Sequence, residues 1–344
     1  MAQSVIRNVV ARYKTIKTQL KQTPFRYNTG EKDAQGHAIW SQIPRDLTWL
    51  WRPVKFKRLQ LDLQRNRDWS YLNSTNELSL NTLMGRKKVD FVCKNFDQYL
   101  DASRWKFGSI KLLQFKNNWY VHLSATTSLS EYELKQTQHI VGIDRGLRFL
   151  AACYDEQGQT LLCSGQKVLR TRRKYKKLRA QLQAKGTKSA KRRLKKIGQR
   201  ENRFISDVNH RLTKTLVDHY GPNTIFALED LTNVRFATEK AAKKRRYEMV
   251  SWTFYQFEQF LAYKANLNSS TVVKVSPRFT SQRCPKCGRI RKENRNHELH
   301  LYICDECGYK SNDDRLAAMN IQFLGDQYYQ GVKRPKFTKI RSAE

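Results

Sequence analysis

Two pairs of cysteines in the last quarter of the chain have the spacing of a metal site. Each pair has the form Cys-x2-Cys, and sixteen residues separate the pairs. The four residues are Cys284, Cys287, Cys304 and Cys307. Two such knuckles supply four thiolates to a tetrahedral zinc ion, which leaves no position for water or substrate. The spacing therefore predicts a structural zinc ribbon, with Gly288 and Gly308 allowing its tight turns and with His297 and His300 as loop residues.

The other three cysteines, Cys93, Cys153 and Cys163, are isolated in the sequence. An odd number of isolated thiols is typical of a protein in a reducing compartment and not of a disulfide framework. Cys153 and Cys163 lie in apolar runs, and we interpret them as small core residues of strands. These features predict a cytoplasmic protein.

Three carboxylates occupy positions from which they could meet. Asp144 ends one short apolar run, Glu229 ends another, and Asp314 stands at the start of a helical segment just past the cysteines. Acids at the ends of neighbouring strands and at the start of a helix packed on them can meet at one edge of a sheet. Converging carboxylates hold the divalent metal ions that assist phosphodiester hydrolysis. Taken singly, an acid at such a position is often only a cap.

A dense run of basic residues lies between the first two of these acids. Seventeen Lys and Arg residues fall within residues 166–203, against one acid, Glu201. Apolar residues at helical spacing lie beneath them, so we interpret segment 166–220 as a helical hairpin that packs by one face and presents cations on the other. Such a face is suited to nucleic-acid phosphates. The candidate contacts are Arg170, Arg172, Arg173, Lys174, Lys176, Lys177, Arg192, Arg193, Lys195 and Lys196.

The composition agrees with a nucleic-acid partner. The 344-residue chain carries 66 Lys and Arg against 30 Asp and Glu, a formal charge of +36. Its 39% hydrophobic content can fill the cores of two or three domains. No apolar run has the length of a membrane span and the N-terminus lacks a secretory core, so we expect a soluble, non-exported protein. Because 11% of the residues are aromatic, nucleic acid is the favoured polyanion.

The first half of the chain predicts a helix followed by antiparallel strands. An amphipathic pattern covers residues 1–23. Residues 49–58 mix aromatic and basic side chains, which fits either a nucleic-acid contact or the core of a sheet. Alternation of apolar and polar residues at 78–91 and 110–124 predicts two hairpins, and hence a small antiparallel barrel or sandwich.

The second half alternates strands and helices. The sequence predicts strands at 139–144, 148–154, 160–164, 224–229 and 271–275, and helices at about 167–220, about 242–267 and from about 313. Three strands followed by alternating helices and strands is the order of a mixed-sheet α/β domain.

Four motifs then occur in a characteristic order. They are Val141-Gly-Ile-Asp144-Arg-Gly, Phe226-Ala-Leu-Glu229-Asp-Leu, Thr280-Ser-Gln before Cys284-Pro-Lys-Cys287, and Asn312-Asp-Asp314-Arg-Leu-Ala-Ala. This ordered set resembles the OrfB/TnpB family of insertion-sequence proteins, whose relatives include the compact type V CRISPR effectors. The similarity covers most of residues 75–325.

The resemblance implies an α/β fold with an RNase H-like (RuvC-like) mixed sheet, flanking helices and an inserted zinc ribbon, preceded by a helical segment and a small antiparallel β-barrel of the wedge type. It implies a transposon-encoded, RNA-guided DNA endonuclease that uses structural Zn²⁺, catalytic Mg²⁺ or Mn²⁺ and a guide RNA. The catalytic, magnesium-binding acids would be Asp144, Glu229 and Asp314. Asp314 is preferred to Asp313 because the family's acid stands three residues before the Ala-Ala pair.

The same resemblance implies partners and a domain order. The partners are guide RNA and target DNA, with no membrane and no small-molecule cofactor, for a monomer or weak dimer. The domains would be a helical recognition-type segment at 1–50, shortened at its N-terminus, a β-barrel at 51–137, a RuvC-like domain at 138–283 containing the basic hairpin 166–220, the zinc ribbon at 284–308, a last RuvC-like helix at 309–325 and a basic tail at 326–344.

Three other functions are compatible with part of the sequence. A nuclease-inactive DNA- or RNA-binding remnant or repressor of the same family would share the motifs. A structural RNA binder, such as a zinc-bearing ribosomal protein, would explain the charge and the cysteines but not the acids at strand ends. A DDE-type transposase would use the acids to join DNA ends, although the order of the motifs favours hydrolysis.

Overall fold

A computed structural model of the chain describes residues 2–22, 26–36, 38–42, 53, 59–115, 117–128, 132–231 and 254–338. The chain divides into two compact units, Met1–Ser128 and Leu129–Glu344. Apart from Pro53, the aromatic and basic segment at 49–58 lies outside the described residues, as does most of the first half of the helix predicted near 242–267. In the part of the chain that is described, no helix has the length and apolar character needed to cross a membrane.

The first unit contains one α-helix, one short 3-10 helix (Phe96–Tyr99) and eight strands among its described residues. These elements are α1 (Ala2–Gln22), β1 (Arg26–Lys32), β2 (Ala38–Gln42), β3 (Gln60–Leu63), β4 (Trp69–Leu72), β5 (Glu77–Thr82), β6 (Gly85–Asp90), β7 (Trp105–Phe115) and β8 (Asn118–Thr127). The predicted helix and both predicted hairpins are confirmed, and Asn117 adopts the positive φ of 63° that a tight turn requires. The segment predicted to be helical over 1–50 also contains the antiparallel hairpin β1–β2, which the sequence analysis missed.

Two three-stranded antiparallel sheets of this unit share one core. Their strand orders are β3-β7-β8 and β4-β5-β6. Leu63 and Ile110 from the first sheet meet Trp69, Leu78 and Leu80 from the second, and Trp69 is fully buried. Of the two alternatives in the sequence analysis, the described strands therefore correspond to a small sandwich and not to a closed barrel.

The second unit is a mixed α/β domain with a small appended sheet. Its elements are β9 (His139–Asp144), β10 (Phe149–Tyr154), β11 (Thr160–Ser164), α2 (Gln166–Lys185), α3 (Lys188–Ile197), α4 (Arg200–Tyr220), β12 (Thr224–Glu229), α5 (Phe254–Leu267), β13 (Thr271–Val275), β14 (Arg295–Asn296), β15 (Leu301–Ile303), β16 (Lys310–Asn312) and α6 (Asp313–Tyr329). The main sheet has the order β11-β10-β9-β12-β13. Strands β9, β12 and β13 are parallel, whereas β10 is antiparallel to both of its neighbours.

Three features differ from the expectations above. Segment 166–220 forms three helices and not a two-helix hairpin, because the chain breaks at Gly198 as well as at Gly186. The ribbon also extends beyond 308, since β16 is part of its sheet, and the last helix continues to Tyr329.

Helices cover both faces of the main sheet. Val141 and Phe226 point to one face, where they pack with residues of α4 and α5 such as Leu216 and Phe257. The alternate residues Ile140, Ile225 and Ala227 point to the other face, where Ile321 and Leu324 of α6 cover them. The two-residue period of the central strands therefore decides which side chains face α6.

Helix α6 approaches β9 so closely that only glycine fits at position 142. A Cβ atom at Gly142 would lie 2.2 Å from both the carbonyl oxygen of Ala318 and the backbone nitrogen of Gln322. One helix turn further on, a Cβ at Gly325 would lie 2.9 Å from the Cβ of Ala227. These contacts fix α6 across the sheet, with its first turn over the ends of β9 and β12.

Replacing Gly142 by Ala is expected to destabilise the second unit strongly. The new methyl group would overlap backbone atoms, which cannot move aside as a flexible side chain can, and overpacking of this kind costs about 1–3 kcal/mol or more. Each kcal/mol lowers the melting temperature by about 2–4 °C in a domain of this size. Thermal unfolding measures the effect.

Gly198→Ala is the matched control, because its nearest contact would be an ordinary 3.4 Å from the carbonyl oxygen of Leu194. Equal melting temperatures for the Gly142→Ala and Gly198→Ala proteins would contradict the close packing of α6 on β9.

Candidate active site

Asp144 and Glu229 end two adjacent parallel strands on the same face. Leu228 of β12 pairs with Ile143 of β9, so the next residues, Glu229 and Asp144, lie side by side at the edge of the sheet. Gly142, two residues before Asp144, contacts α6, and side chains two apart on a strand point to one face. Both carboxylates therefore point to the side of the sheet that α6 covers.

Asp314 reaches the same edge from the first turn of α6. Asn312 caps this helix, since its Oδ1 accepts hydrogen bonds from the backbone N–H groups of Asp314 and Arg315, both at 3.1 Å. The helix runs antiparallel to β9, because its residues 318–322 lie over Gly142 while Gly325 lies nearer the start of the strand at Ile140. Its N-terminal turn, with Asp314, consequently lies over the end of β9.

The electrostatics of the three acids reflect this convergence. Burial raises the pKa of Asp144 well above its usual range, and the charges of Glu229 and Asp314 raise it further. Burial also raises the pKa values of Glu229 and Asp314. Carboxylates that raise one another's pKa values in a buried site are unstable together without a cation.

The carboxylate oxygens of the three acids suit a divalent metal ion that prefers oxygen ligands. The Oδ2 atom of Asp314 is buried and accepts no hydrogen bond from any described residue. Carboxylate oxygens are the preferred ligands of Mg²⁺ and Mn²⁺. Asp144, Glu229 and Asp314 would hold such an ion, and the orphaned oxygen of Asp314 would gain a partner.

Thr280 and Asn320 hold Glu229 and the loop beside it. The Oγ1 of Thr280 donates a hydrogen bond of 2.5 Å to Oε1 of Glu229, and Thr280 is almost wholly buried. The Nδ2 of Asn320, on α6, donates to the carbonyl oxygens of Thr280 and Arg283, each at 2.8 Å. The same helix that carries Asp314 thus also fixes the hydroxyl that orients Glu229.

Arg145 ties the ends of the strands to helix α5. Its Nη2 donates to the backbone carbonyl of Glu229 at 2.5 Å, and its Nη1 lies 3.5 Å from Oε2 of Glu258. Lys274 of β13 completes the network by an ion pair of 2.7 Å with Oε1 of Glu258. One signal for this role is local, since Arg145 directly follows Asp144 in the chain.

Asp313 has a different role from its neighbour Asp314. It is 1% exposed, and its Oδ2 accepts a hydrogen bond of 3.0 Å from Nε of Arg295 and forms an ion pair of 2.9 Å with Nη2 of the same residue. His300, which lies in a loop as predicted, places its Nδ1 3.4 Å from Oδ1 of Asp313. Asp313 thus joins the ribbon to α6, while its partner Arg295 lowers the pKa values of Asp144, Glu229 and Asp314 by its charge. Arg295 was not found from the sequence, because only the folded ribbon brings it to the acids.

The four cysteines converge as the spacing predicts. Their sulfur atoms all lie within 4.8 Å of one another, with Cys284 and Cys307 at 3.6 Å and Cys287 and Cys304 at 3.5 Å. Zn–S bonds of about 2.3 Å in a tetrahedron require sulfur separations of about 3.8 Å. The group therefore fits a structural zinc ion.

The two knuckles have the same backbone pattern. The N–H of Gly288 donates to the carbonyl of Cys284, and that of Gly308 donates to the carbonyl of Cys304, both at 3.0 Å. Both glycines have positive φ, 78° and 65°, as expected for these turns. Tyr302 and Leu316 pack with the buried cysteines, so the ribbon core includes the second turn of α6.

The basic helices present most of the predicted cations to solvent. Nine of the ten candidate phosphate contacts on α2 and α3 are exposed. Arg172 is the exception, and its assignment to the exposed cationic face is wrong. Its side chain is 3% exposed and pairs with Glu201 of α4 at 3.4 Å, and Arg179 pairs with the same carboxylate at 2.6 Å. Arg172 therefore joins two helices.

Replacing Asp144 by Asn is expected to stabilise the protein at neutral pH in the absence of added divalent metal. The pKa of Asp144 is higher in the folded protein than in the unfolded chain. At pH values between these two pKa values, the folded state therefore binds more protons than the unfolded state. Stability therefore falls as the pH rises from the unfolded pKa, about 3.9, through the raised folded pKa. The Asn variant lacks this titration and should melt about 2–4 °C higher for each kcal/mol of repulsion removed.

Thermal melts of zinc-loaded protein between pH 5 and pH 8 test this expectation. Asp218→Asn, at an exposed position on α4, is the control and should leave the pH dependence unchanged. An Asp144→Asn protein with the wild-type pH dependence, or with a lower melting temperature at pH 8, would contradict it.

Two family descriptions match adjacent parts of the chain. Residues 124–234 match the OrfB_IS605 family, described as "Probable transposase". Residues 254–321 match the "Cas12f1-like, TNB domain" family. The first range contains Asp144 and Glu229, and the second contains the four cysteines, Arg295 and Asp314.

Curated proteins from several sources are similar over about 60% of this chain. A CRISPR-associated endodeoxyribonuclease Cas12f1 of Sulfoacidibacillus thermotolerans is 29% identical over 221 residues, which cover 60% of this chain and 50% of that protein. A TnpB-like protein of Methanocaldococcus jannaschii is 27% identical over 61% of this chain and 77% of its own length. An Escherichia coli protein with the name "Putative RNA-guided DNA endonuclease InsQ" is 26% identical over 63% of this chain and 56% of its own length.

The chain thus spans about half of the length of the Cas12f1 relative and of InsQ, and more of the archaeal protein. The matched ranges contain the motifs on which the sequence resemblance depends, in the same order along the chain. On these grounds the chain is similar to the OrfB/TnpB proteins of insertion sequences and to Cas12f1.

Proposed function

We propose that this protein is an RNA-guided DNA endonuclease that hydrolyses phosphodiester bonds at a RuvC-like site. The convergence of Asp144, Glu229 and Asp314 at one sheet edge is the observation that carries the proposal. The strand order of the main sheet, with one antiparallel strand pair followed by parallel strands and helices on both faces, supports an RNase H-like fold. The names of Cas12f1 and InsQ support a DNA substrate, and that of InsQ supports an RNA guide.

The residues of the site have distinct roles in this proposal. Bound Mg²⁺ or Mn²⁺ would activate water and stabilise charge on the leaving oxygen. Asp144, Glu229 and Asp314 hold the ion, and Thr280 keeps the Glu229 carboxylate oriented through its hydrogen bond. Arg295 supplies a positive charge beside the acids, where phosphate oxygens of the substrate would lie.

The remaining parts of the chain have supporting roles in the proposal. The four cysteines bind a structural zinc ion that holds the ribbon, and Arg295 with it, against α6. The first unit acts as a wedge-type nucleic-acid-binding domain, and the guide RNA selects the target by base pairing. The protein acts as a monomer or weak dimer.

The exposed cations of α2 should contribute to RNA affinity without contributing to stability. Replacing both Lys174 and Lys177 by Gln is expected to weaken RNA binding and to reduce the slope of log affinity against log salt by about 2. The melting temperature should not change, because both side chains are exposed. Arg172→Gln is the matched variant and should lower the melting temperature by leaving Glu201 less well paired. A reduced melting temperature for the double variant, or an unchanged salt slope, would contradict the assignment of Lys174 and Lys177 to RNA binding and of Arg172 to stability.

A cleavage assay tests the proposed function. The protein is purified with its co-bound RNA, the RNA is sequenced, and supercoiled plasmid carrying the matching target is added with Mg²⁺. Wild-type protein should cut the plasmid and Asp144→Ala protein should not. Equal cutting by both proteins would sink the assignment. Guide-dependent binding without cutting by either protein would favour the nuclease-inactive remnant.

A further inference from the structure

The first unit contains a cavity of about 610 Å³ that the proposed catalytic role does not use. This volume lies within the range of small-ligand sites, about 300–1,000 Å³. Aromatic and cationic side chains predominate among the described residues that line it, and none of those described residues is Asp or Glu. The residues central to its chemistry are Arg65, Tyr71, Asn73, Tyr99, Trp105 and Lys106.

Arg65 lies over two aromatic rings, and one of its guanidinium nitrogen atoms has no hydrogen-bond partner among the described residues. Its guanidinium carbon lies 5.1 Å from the ring centroid of Trp69 and 5.1 Å from that of Phe107. Both rings belong to the shared core of the two sheets, so they form a rigid base. No described carboxylate lies within ion-pair distance of Arg65, and its Nη1 atom has no hydrogen-bond partner among the described residues. A stacked guanidinium with an unpartnered N–H donor is suited to a phosphate or to the edge of a base.

Tyr99 and Trp105 form an aromatic wall beside this cation. Their ring centroids are 5.1 Å apart in an edge-to-face arrangement, and both residues are only partly buried. Tyr71, held by a 3.0 Å hydrogen bond to Oδ1 of Asn76, adds a third ring. Rings that are fixed by their neighbours and still reached by solvent can stack on a base without losing further side-chain entropy.

Lys106 supplies a second cation to the cavity, and it too has no ion-pair partner among the residues described in this unit. Two cations without an acid among the described lining residues favour an anion, whereas the aromatic wall favours a planar ring. A nucleotide combines both features in one ligand, because its base stacks while its phosphate binds the cations. An acidic peptide would satisfy the charges alone.

We infer that this cavity binds one unstacked nucleotide of a single-stranded nucleic acid, with its base against Trp105 and Tyr99 and its phosphate near Arg65 and Lys106. The inference rests on the proposed function only in taking nucleic acid as the partner. It adds a specific contact in the first unit that does not depend on the acids of the second.

Photocrosslinking with a defined oligonucleotide tests the inference. The full-length protein, freed of co-bound RNA by nuclease and high salt, is mixed with an RNA octamer containing 5-iodouridine or with its deoxy counterpart. Crosslinks should map to the segment 99–107, and comparison of the two oligonucleotides shows whether RNA or DNA is preferred. Trp105→Ala should weaken octamer binding roughly tenfold, the loss expected for one stacked base. Trp105→Phe, which keeps a ring, should recover most of that loss.

Matched variants control for charge, ring loss and folding. Trp119, on β8, is an exposed ring outside the cavity, and Lys88, on β6, is an exposed cation outside it. Trp119→Ala and Lys88→Gln should leave octamer affinity unchanged, whereas Lys106→Gln and Arg65→Gln should weaken it. Since Arg65 packs on core rings, thermal melting accompanies each measurement, and the Trp105 and Lys106 variants decide the matter if Arg65→Gln does not fold.

The inference is overturned if crosslinks map only outside the cavity, or if Trp105→Ala binds the octamer as tightly as Trp119→Ala does. Competition is a third test, in which polyglutamate or uridine monophosphate is added to the bound octamer. Equal displacement by the two competitors would also overturn the inference. Binding is measured on Asp144→Ala protein, so the result is independent of cleavage. If plasmid cutting requires Asp144 but no crosslinks map to the cavity, the nuclease assignment stands and the nucleotide site is rejected. If crosslinks map to the cavity but no cutting depends on Asp144, the nucleotide site stands and the nuclease assignment is rejected.

Discussion

Asp314→Asn protein is expected to lose DNA cleavage by roughly 10³-fold, whereas Asp313→Asn protein should lose less than about tenfold. The two residues are adjacent and both are acidic, but Oδ2 of Asp313 is paired with Arg295, whereas Oδ2 of Asp314 is buried without a hydrogen-bond partner among the described residues. The charge of Asp314 also raises the pKa of Asp144, which places it beside the other acids. Stabilisation of charge through a carboxylate-held metal contributes several kcal/mol, and each 1.36 kcal/mol is a factor of ten in rate. Asparagine keeps the shape of Asp314 but removes the charge that holds the ion.

Asp313→Asn should reduce the stability of the protein more than Asp314→Asn does, although it reduces cleavage less. Asp313 is nearly wholly buried and neutralises Arg295 through a hydrogen bond and an ion pair, so its loss leaves a partly buried cation without this partner. Asp313→Asn should therefore lower the melting temperature, while Asp314→Asn should preserve or raise it, because burial and the charge of Asp313 raise the pKa of Asp314.

Initial rates of plasmid cutting and thermal melts of the two proteins form the test. RNA binding serves as the control, since neither residue lies on the cationic helices. An equal loss of cleavage in both variants with equal melting temperatures would falsify the separation of a metal-holding Asp314 from a structural Asp313.

Cys304→Ser protein is expected to lose its zinc and, with it, about 10²-fold in cleavage, although the cysteine touches none of the three acids. A structural zinc ion contributes directly to folding of its module. The ribbon core formed by Cys304, Tyr302 and Leu316 includes α6, and Arg295 of the ribbon pairs with Asp313 at the start of the same helix. Loss of the ribbon should therefore displace Asp314, and a displacement of about 1 Å at a reacting centre can cost about 10²-fold in rate.

Metal analysis and cleavage rates test this coupling together. Cys93→Ser is the matched control, because Cys93 is an exposed thiol outside the metal group and its loss should change neither quantity. Full zinc content in the Cys304→Ser protein would contradict the four-thiolate site. Unchanged cleavage after zinc loss would contradict the coupling between the ribbon and Asp314.

Much of the second unit was predictable because its signals are local. The apolar runs ending at Asp144 and Glu229 gave the bounds of β9 and β12, since buried parallel strands require nearly continuous apolar residues. The Cys-x2-Cys pairs predicted a ribbon, because each knuckle is a short local turn. The three-helix form of 166–220 was missed, because the basic residues at 195–200 continue the helical pattern across the break at Gly198.

By itself the sequence determined which residue types stand at the strand ends, the helix start and the two knuckles, and it determined that α2 and α3 carry an excess of positive charge. The tertiary structure decided which of these groups act together. Arg172 and Lys174 look equivalent in a basic run, yet the packing of α4 against α2 buries one beside Glu201 and leaves the other in solvent. Asp313 and Asp314 look equivalent at a helix start, yet successive helical residues point about 100° apart, so one meets Arg295 and the other faces the acids at the sheet edge. These distinctions depend on contacts between residues far apart in the chain, which local sequence patterns do not encode.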